Sequence, residues 1–170
     1  MHFSSKVTTT LILFFTFIRG AVCVPAPALL PRYSVNTTVP NPCMPQAVSP
    51  RNQEDIFFGF VNSFYITKDY QEAYTHVAGD LINHNPTSVD GIASSFSVVN
   101  SLFTSPSVSI QLIHQVFGAP FGWVHYRVDG LNPLPTAFVD VWRMDGSCLA
   151  EHWDVIEEQP ANTTNPHPLF

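Results

Sequence analysis

Four ionisable residues crowd into the segment FVDVWRMDGSCLAEHWDVIEEQP near the C-terminus: Asp140, Glu151, His152 and Asp154. Their neighbours are Val, Trp, Phe, Leu and Ile, the residues of a half-buried sheet. Carboxylates and imidazoles in apolar surroundings shift their pKa values and become able to exchange protons near neutrality. A carboxylate so enclosed is a general base able to take a proton from carbon beside a carbonyl, and a neighbouring histidine can orient it or return the proton. Two more imidazoles lie upstream. His84 precedes Asn85-Pro86, and His125 sits in WVHYR with Trp123 at the same strand parity. Each has a plainer alternative: fixing a loop for His84, and a half-buried ring satisfied by the backbone for His125. For Asp140 the plainer alternative is an ion pair with Arg127 or Arg143, and Glu151 is more readily salt-bridged than catalytic. His76 and His114 have no supporting cluster.

Other chemistries find little support. His84, His125 and His152 could in principle form a three-histidine metal site, but the chain has no H-x-x-x-H or H-x-H pair. No metal and no cofactor is expected. A G-x-S-x-G nucleophile elbow and a phosphate-cradling glycine loop are both missing from the sequence.

Strand parity decides which side chains meet. Phe138, Asp140 and Trp142 share one face of their strand, and His152 and Asp154 share a face of the next. A two-residue Asp145-Gly146 loop sets Asp140 opposite Glu151, whereas a three-residue loop sets it opposite His152. Local turn chemistry favours the two-residue loop.

Upstream, Ser49 is a helix cap and Pro50 suits a first turn. Ile56, Phe57, Phe60, Val61 and Phe64 then recur at helical spacing. A second helix is expected over Asp69 to Val77, ended by Gly79, and a third after an Asp90 cap, carrying Ile92, Phe96, Val99 and Phe103. From Ser107 the pattern turns to strands. Val108, Ile110 and Leu112 alternate, and 123–128, 136–143 and 149–157 are rich in β-branched and aromatic residues, with turns at Asp129-Gly130 and Asp145-Gly146. Three helices followed by four strands imply an α+β fold, helices on one face of a curved antiparallel sheet that encloses a pocket.

The ends of the 170-residue chain carry different signals. Residues 1–23 are expected to be a signal peptide: Lys6, the apolar run Leu11 to Ile18, then Ala21-Val22-Cys23 as the cleavage site. That run is too short to span a bilayer, so no membrane span is expected after cleavage. Residues 24–50 form a proline-rich leader and 51–170 the folded domain. Asn36 and Asn162 begin glycosylation sequons in Pro/Thr-rich coil, consistent with a secreted protein. Loss of Cys23 leaves Cys43 and Cys148, which are expected to pair in an oxidising compartment; the alternative is two unrelated thiols. Removing Lys6 and Arg19 leaves 5 basic against 13 acidic residues, a net charge near −8 that argues against nucleic acid as a partner.

The order LINHNP, DG opening a helix, DVWR, a turn with EHWDV, and QPANT before a final LF resembles the SnoaL-like family. That family belongs to the nuclear transport factor 2-like superfamily of cone-shaped α+β domains, and the resemblance runs from about Ile56 to Phe170. It implies acid/base catalysis without metal or cofactor, as in polyketide cyclases, isomerases and dehydratases of this type, on a small apolar oxygenated substrate. It favours the three-residue loop, which we follow. The expected site is then Asp140, His152 and Asp154, with His125 and His84 as further polar groups and Phe138, Trp142 and Trp123 as apolar wall. The resemblance also implies a homodimer through the outer sheet face, where Val139, Val141 and Trp153 would lie. A secreted carrier holding an apolar ligand in the same pocket is the alternative reading. One departure is the segment GAPFG before the His125 strand, where a charged turn would be expected.

Overall fold

The computed structural model describes residues 37–170. The expected signal peptide, residues 24–36 of the proline-rich leader and Asn36 of the first sequon lie outside the described residues. Helix α1 (Pro50–Val61) begins as its sequence dictates. Ser49 accepts a hydrogen bond from the Asn52 backbone N–H, and Pro50 occupies the first turn. The helix runs on through a widened π-helical turn, Asn62–Ile66, whose larger circumference buries three consecutive residues, Ser63, Phe64 and Tyr65.

The expected second helix is much shorter. Asp69 caps α2 (Tyr70–Ala73), a 3₁₀ turn follows over Tyr74–His76, and at Val77 the chain is already strand β1 (Val77–Asn83). Gly79 therefore lies within a strand and ends no helix. Helix α3 (Ile92–Phe103) buries Ile92, Phe96 and Phe103 as its spacing predicts. Its cap is Gly91 at φ 97°, while Asp90 accepts from the Asn83 backbone N–H. Four antiparallel strands follow, with β2 (Ser109–Gly118) and β3 (Phe121–Asp129) leading to β4 (Thr136–Asp145) and β5 (Cys148–Glu158).

The sheet order is β1-β5-β4-β3-β2, so the sheet has five strands rather than the expected four. β1 joins it parallel to β5. Its sequence, VAGDLIN, has no clean alternation, and the strand it pairs with, β5, comes from the far end of the chain. The helices cover one face of the sheet. Phe60 meets Trp142 at 4.9 Å between ring centres, and Tyr65 meets Tyr126 at 4.8 Å. On β3, Gly122 leaves the space that the Phe57 ring fills, and a Cβ there would overlap that ring. Among the described residues no helix is long and apolar enough to cross a membrane.

The β4–β5 hairpin corrects both expected registers. Asp145 pairs with Cys148, so Gly146 (φ 54°) and Ser147 form the two-residue turn, one position later than expected. A bulge then adds Ala150 to β5 between Leu149 and Glu151. Asp140 consequently lies opposite Asp154, and Trp142 opposite His152. Relative to the three-residue loop the pairing has slipped by two positions, and an even slip preserves every face. Cys43 and Cys148 form a disulfide, which fastens the segment before α1 to the first residue of β5.

Candidate active site

The concave face of the sheet and helix α3 enclose a cavity of about 180 Å³. Asp140, His152 and Asp154 line it together, with Phe138 and Trp142 as apolar wall. Asp140 and His152 are 3% and 9% exposed. The three side chains offer ligand-type atoms all within 4.8 Å of one another.

Asp140 is held by aromatic donors rather than by arginine. Its Oδ2 accepts from the Tyr65 hydroxyl at 2.7 Å and from the Tyr126 hydroxyl at 3.0 Å. Tyr65 accepts in turn from Trp142 Nε1 at 3.0 Å. Arg127 pairs with Asp129 and Arg143 with Glu151, so neither ion pair considered for Asp140 forms. Burial first, and then the charge of Asp140, pushes both tyrosine hydroxyls well above the usual phenol range. They remain protonated and serve as donors to Asp140.

The tautomer of His152 follows from its neighbours. The Asn85 backbone N–H donates to Asn83 Oδ1 at 3.1 Å, which identifies that atom as the amide oxygen. His152 Nδ1 lies 3.2 Å from the same oxygen and must therefore carry its proton. In the neutral ring Nε2 is then a bare lone pair. It is buried with no hydrogen-bond partner, 3.7 Å from Asp140 Oδ1. A buried nitrogen left unpaired costs stability, a feature that recurs where function requires it.

Asparagines 83 and 85 are the site residues that sequence reasoning missed. β1 lies beside β5 with Asn83 opposite His152, and the His84 backbone N–H donates to the His152 carbonyl. Continued alternation turns Asn83 and Asn85 inward and His84 outward. Asn85 Nδ2 donates to Asp154 Oδ2, and its Oδ1 accepts from the Thr87 N–H, which fixes the amide orientation. The usable signal was the N-x-N spacing in NHNP, legible only once that segment is known to be extended. Tyr65 and Tyr126, which hold Asp140, were not singled out either, because the sequence does not say which parity of β3 faces the cavity.

Three expected site residues lie elsewhere. His84 stacks on Trp153 at 4.7 Å, with Nε2 2.9 Å from Glu151 Oε1. Glu151 also takes a 2.6 Å bond from Arg143, and these two partners, His84 first, hold its carboxyl below the usual range. His125 and Trp123 alternate with the buried Val124 and Tyr126, so they face away from the cavity. His125 pairs with His114, Nδ1 to Nδ1 at 3.2 Å, and the Phe170 ring stacks on it. The convex face also carries Val139, Val141 and Trp153, as parity required.

No family model and no curated protein matches the sequence. Solved structures do match. A nuclear transport factor 2-like protein of unknown function from Burkholderia xenovorans superposes with a TM-score of 0.54 at 9% identity, over 67% of this chain and 89% of that one. The chain has the nuclear transport factor 2-like fold. Two further proteins of similar shape are a proposed ketosteroid isomerase from Kribbella flavida and AclR, a proposed hydroxylase from Streptomyces galilaeus. The first has a TM-score of 0.55 at 11% identity, covering 68% of this chain and 84% of that one. The second has a TM-score of 0.53 at 14% identity, covering 66% and 83%. At these identities the likeness concerns the nuclear transport factor 2-like fold alone, and the chemistry has to be argued from the cavity.

Proposed function

We propose that the protein is an acid/base enzyme, a lyase, isomerase or cyclase, acting without a cofactor on a small, mostly apolar, oxygenated molecule of polyketide type. The observation that carries this reading is the unpaired, buried Nε2 of His152 beside Asp140 Oδ1. With Nδ1–H engaged by Asn83, Nε2 is the base that removes a substrate proton. Asp140 stabilises the imidazolium that forms, and the two tyrosines hold Asp140 in place. Asp154, oriented by Asn85, is a second proton acceptor. The proton held on His152 returns to the rearranged product in an isomerisation or ring closure, or leaves with an expelled hydroxyl as water in an elimination. No electron changes hands in any of these outcomes. His84, His125 and Trp123 have no part in this scheme.

In the same reading the protein acts after export. The Cys43–Cys148 disulfide persists in oxidising compartments, and Asn162 is exposed in the tail. A homodimer through the convex sheet face is also part of it, supported by the exposed Phe121, Trp123 and Val155.

The test is native mass spectrometry of the deglycosylated secreted protein, followed by turnover assays on one- and two-ring hydroxy ketones with product analysis. Turnover that falls about 100-fold or more in Asp140→Asn and His152→Phe, with binding retained, supports the enzyme. Binding without turnover in the wild type would establish the carrier instead. The same spectrum reads the oligomeric state, and a monomer at micromolar concentration counts against the dimer.

A further inference from the structure

Asp140 and Asp154 bring two carboxylates into one site without a basic side chain to balance them. Asp140 lies directly opposite Asp154 on the paired strands, and His152 sits two positions before Asp154 on the same face. Like charges set opposite each other on a sheet repel. The basic side chains of the described residues are engaged elsewhere: Arg51 with Glu54 and Asp55, Arg127 with Asp129, Arg143 with Glu151, and Lys68 with the Val108 carbonyl. Each of the three site residues also has one polar atom fixed by a neighbour outside the group. Asp140 Oδ2 takes the Tyr65 and Tyr126 hydroxyls, Asp154 Oδ2 takes the Asn85 amide, and His152 Nδ1–H goes to Asn83 Oδ1. Outer hydrogen bonds of this kind fix the tautomer and orientation of metal ligands.

The geometry that remains fits an ion better than a hydroxyl. His152 is buried, and its Nε2 has no hydrogen-bond partner and almost no surface that a water molecule can touch. A water or hydroxyl oxygen stands about 2.8–3.0 Å from a nitrogen, whereas zinc bonds at about 2.0–2.1 Å. A lone pair that faces a gap too narrow for water is therefore still open to a cation. Nε2 lies 3.7 Å from Asp140 Oδ1. An ion about 2.1 Å from both would see them at an angle of about 120°, within the range of four- or five-coordinate zinc. The ligand-type atoms of the three residues all lie within 4.8 Å of one another. Two ligands of one zinc ion stand at most about 4.2 Å apart, so the site closes by up to about half an ångström. Asp154, the least buried of the three, supplies that movement. The remaining coordination positions are left to molecules in the cavity, which Thr87, Ser88 and Ser95 also line.

We propose that Asp140, His152 and Asp154 form a binding site for a divalent transition-metal ion, of which zinc best matches one imidazole and two carboxylates. The ligands come from adjacent strands, and only the register set by the Ala150 bulge brings them together. Bound zinc occupies the lone pair that would accept the substrate proton, so metal and turnover exclude each other. Metal binding stands on the geometry alone; its effect on catalysis rests on the acid/base reading of the same cavity.

The test is calorimetric titration of zinc chloride into the untagged full secreted protein, stripped of metal by a chelator with its disulfide intact. One zinc ion per chain should bind in the micromolar range or tighter. Cobalt(II) should compete with it and give the visible absorption of a four- or five-coordinate ion, while magnesium should not compete. Asp154→Asn, at the least buried ligand and so the variant whose folding is least at risk, should weaken zinc binding about 10-fold or more, as should Asn85→Ala, which frees Asp154. His152→Gln should abolish it. His114→Ala removes one of the paired imidazoles on the convex face and should leave zinc binding unchanged. The absence of saturable binding in the micromolar range would overturn the proposal, as would binding that survives Asp154→Asn unaltered or disappears in His114→Ala. Turnover of hydroxy ketones by the metal-free protein that stops at one equivalent of zinc supports both readings. Zinc binding at this site with no turnover leaves the inference standing and sinks the enzyme, and turnover by a protein that ignores zinc does the reverse.

Discussion

Replacing Tyr65 by Phe removes one oxygen that serves two buried partners. The Tyr65 hydroxyl donates to Asp140 Oδ2 at 2.7 Å and accepts from Trp142 Nε1 at 3.0 Å, and all three side chains are nearly inaccessible. A hydrogen bond to a charged group contributes about 2 kcal/mol, and stranding a buried indole N–H costs about 2 kcal/mol more. Tyr65→Phe should therefore destabilise the protein by about 4 kcal/mol. Tyr126→Phe removes only the 3.0 Å bond to the same carboxylate and strands no donor, so about 2 kcal/mol is expected. The assay is urea unfolding followed by tryptophan fluorescence with the disulfide intact, comparing midpoints at matched slopes. In an Asp140→Asn background the Tyr65→Phe cost should shrink towards that of the stranded indole alone. Equal costs for the two tyrosines, or a larger cost at Tyr126, would refute the claim that Tyr65 links Trp142 to Asp140.

The Cys43–Cys148 bridge closes a separation of 105 residues, for which chain-entropy arguments give about 4.7 kcal/mol. Reduction, or Cys43→Ser with Cys148→Ser, should lower the unfolding free energy by about that much in urea. A loss below about 1 kcal/mol would mean that other contacts hold the segment before α1. Glu151 has its folded-state pKa held below the ordinary glutamate value of 4.5 by His84 and Arg143. Its contribution is therefore fully present above the unfolded value and is lost as pH falls through the folded one. The difference in Tm between wild type and Glu151→Gln should be constant near pH 6 and close on acidification below about pH 4.5; a gap independent of pH contradicts the pairing.

Local signals were sufficient for some of the local structure, though not for the second helix, which spans only Tyr70–Ala73, nor for the cap of α3, which is Gly91. The Ser49-Pro50 start of α1, the apolar faces of α1 and α3 and the alternation along β2 to β5 all appear as their spacing predicts. β1 was missed because a short parallel edge strand has neither alternation nor a turn to mark it, and its partners sit at the other end of the chain. The same gap hid Asn83 and Asn85 and made His84 look like a pocket residue. His125 and Trp123 were misplaced for a different reason. They share a parity on β3, but which parity faces the helices is set by how the sheet docks, and Val124 and Tyr126 occupy that side.

From the sequence alone, then, Asp140 shares a strand face with Phe138 and Trp142, and His152 shares one with Asp154, because side chains alternate with a period of two whatever the surroundings. Only the tertiary structure decided what meets them. The Ala150 bulge set Asp140 opposite Asp154, α1 brought Tyr65 to the carboxylate, and the docking of β1 aimed Asn83 at His152. Alternation is a property of each strand by itself, whereas register and docking depend on contacts between segments distant in the chain, where a one-residue change in a turn exchanges every partner.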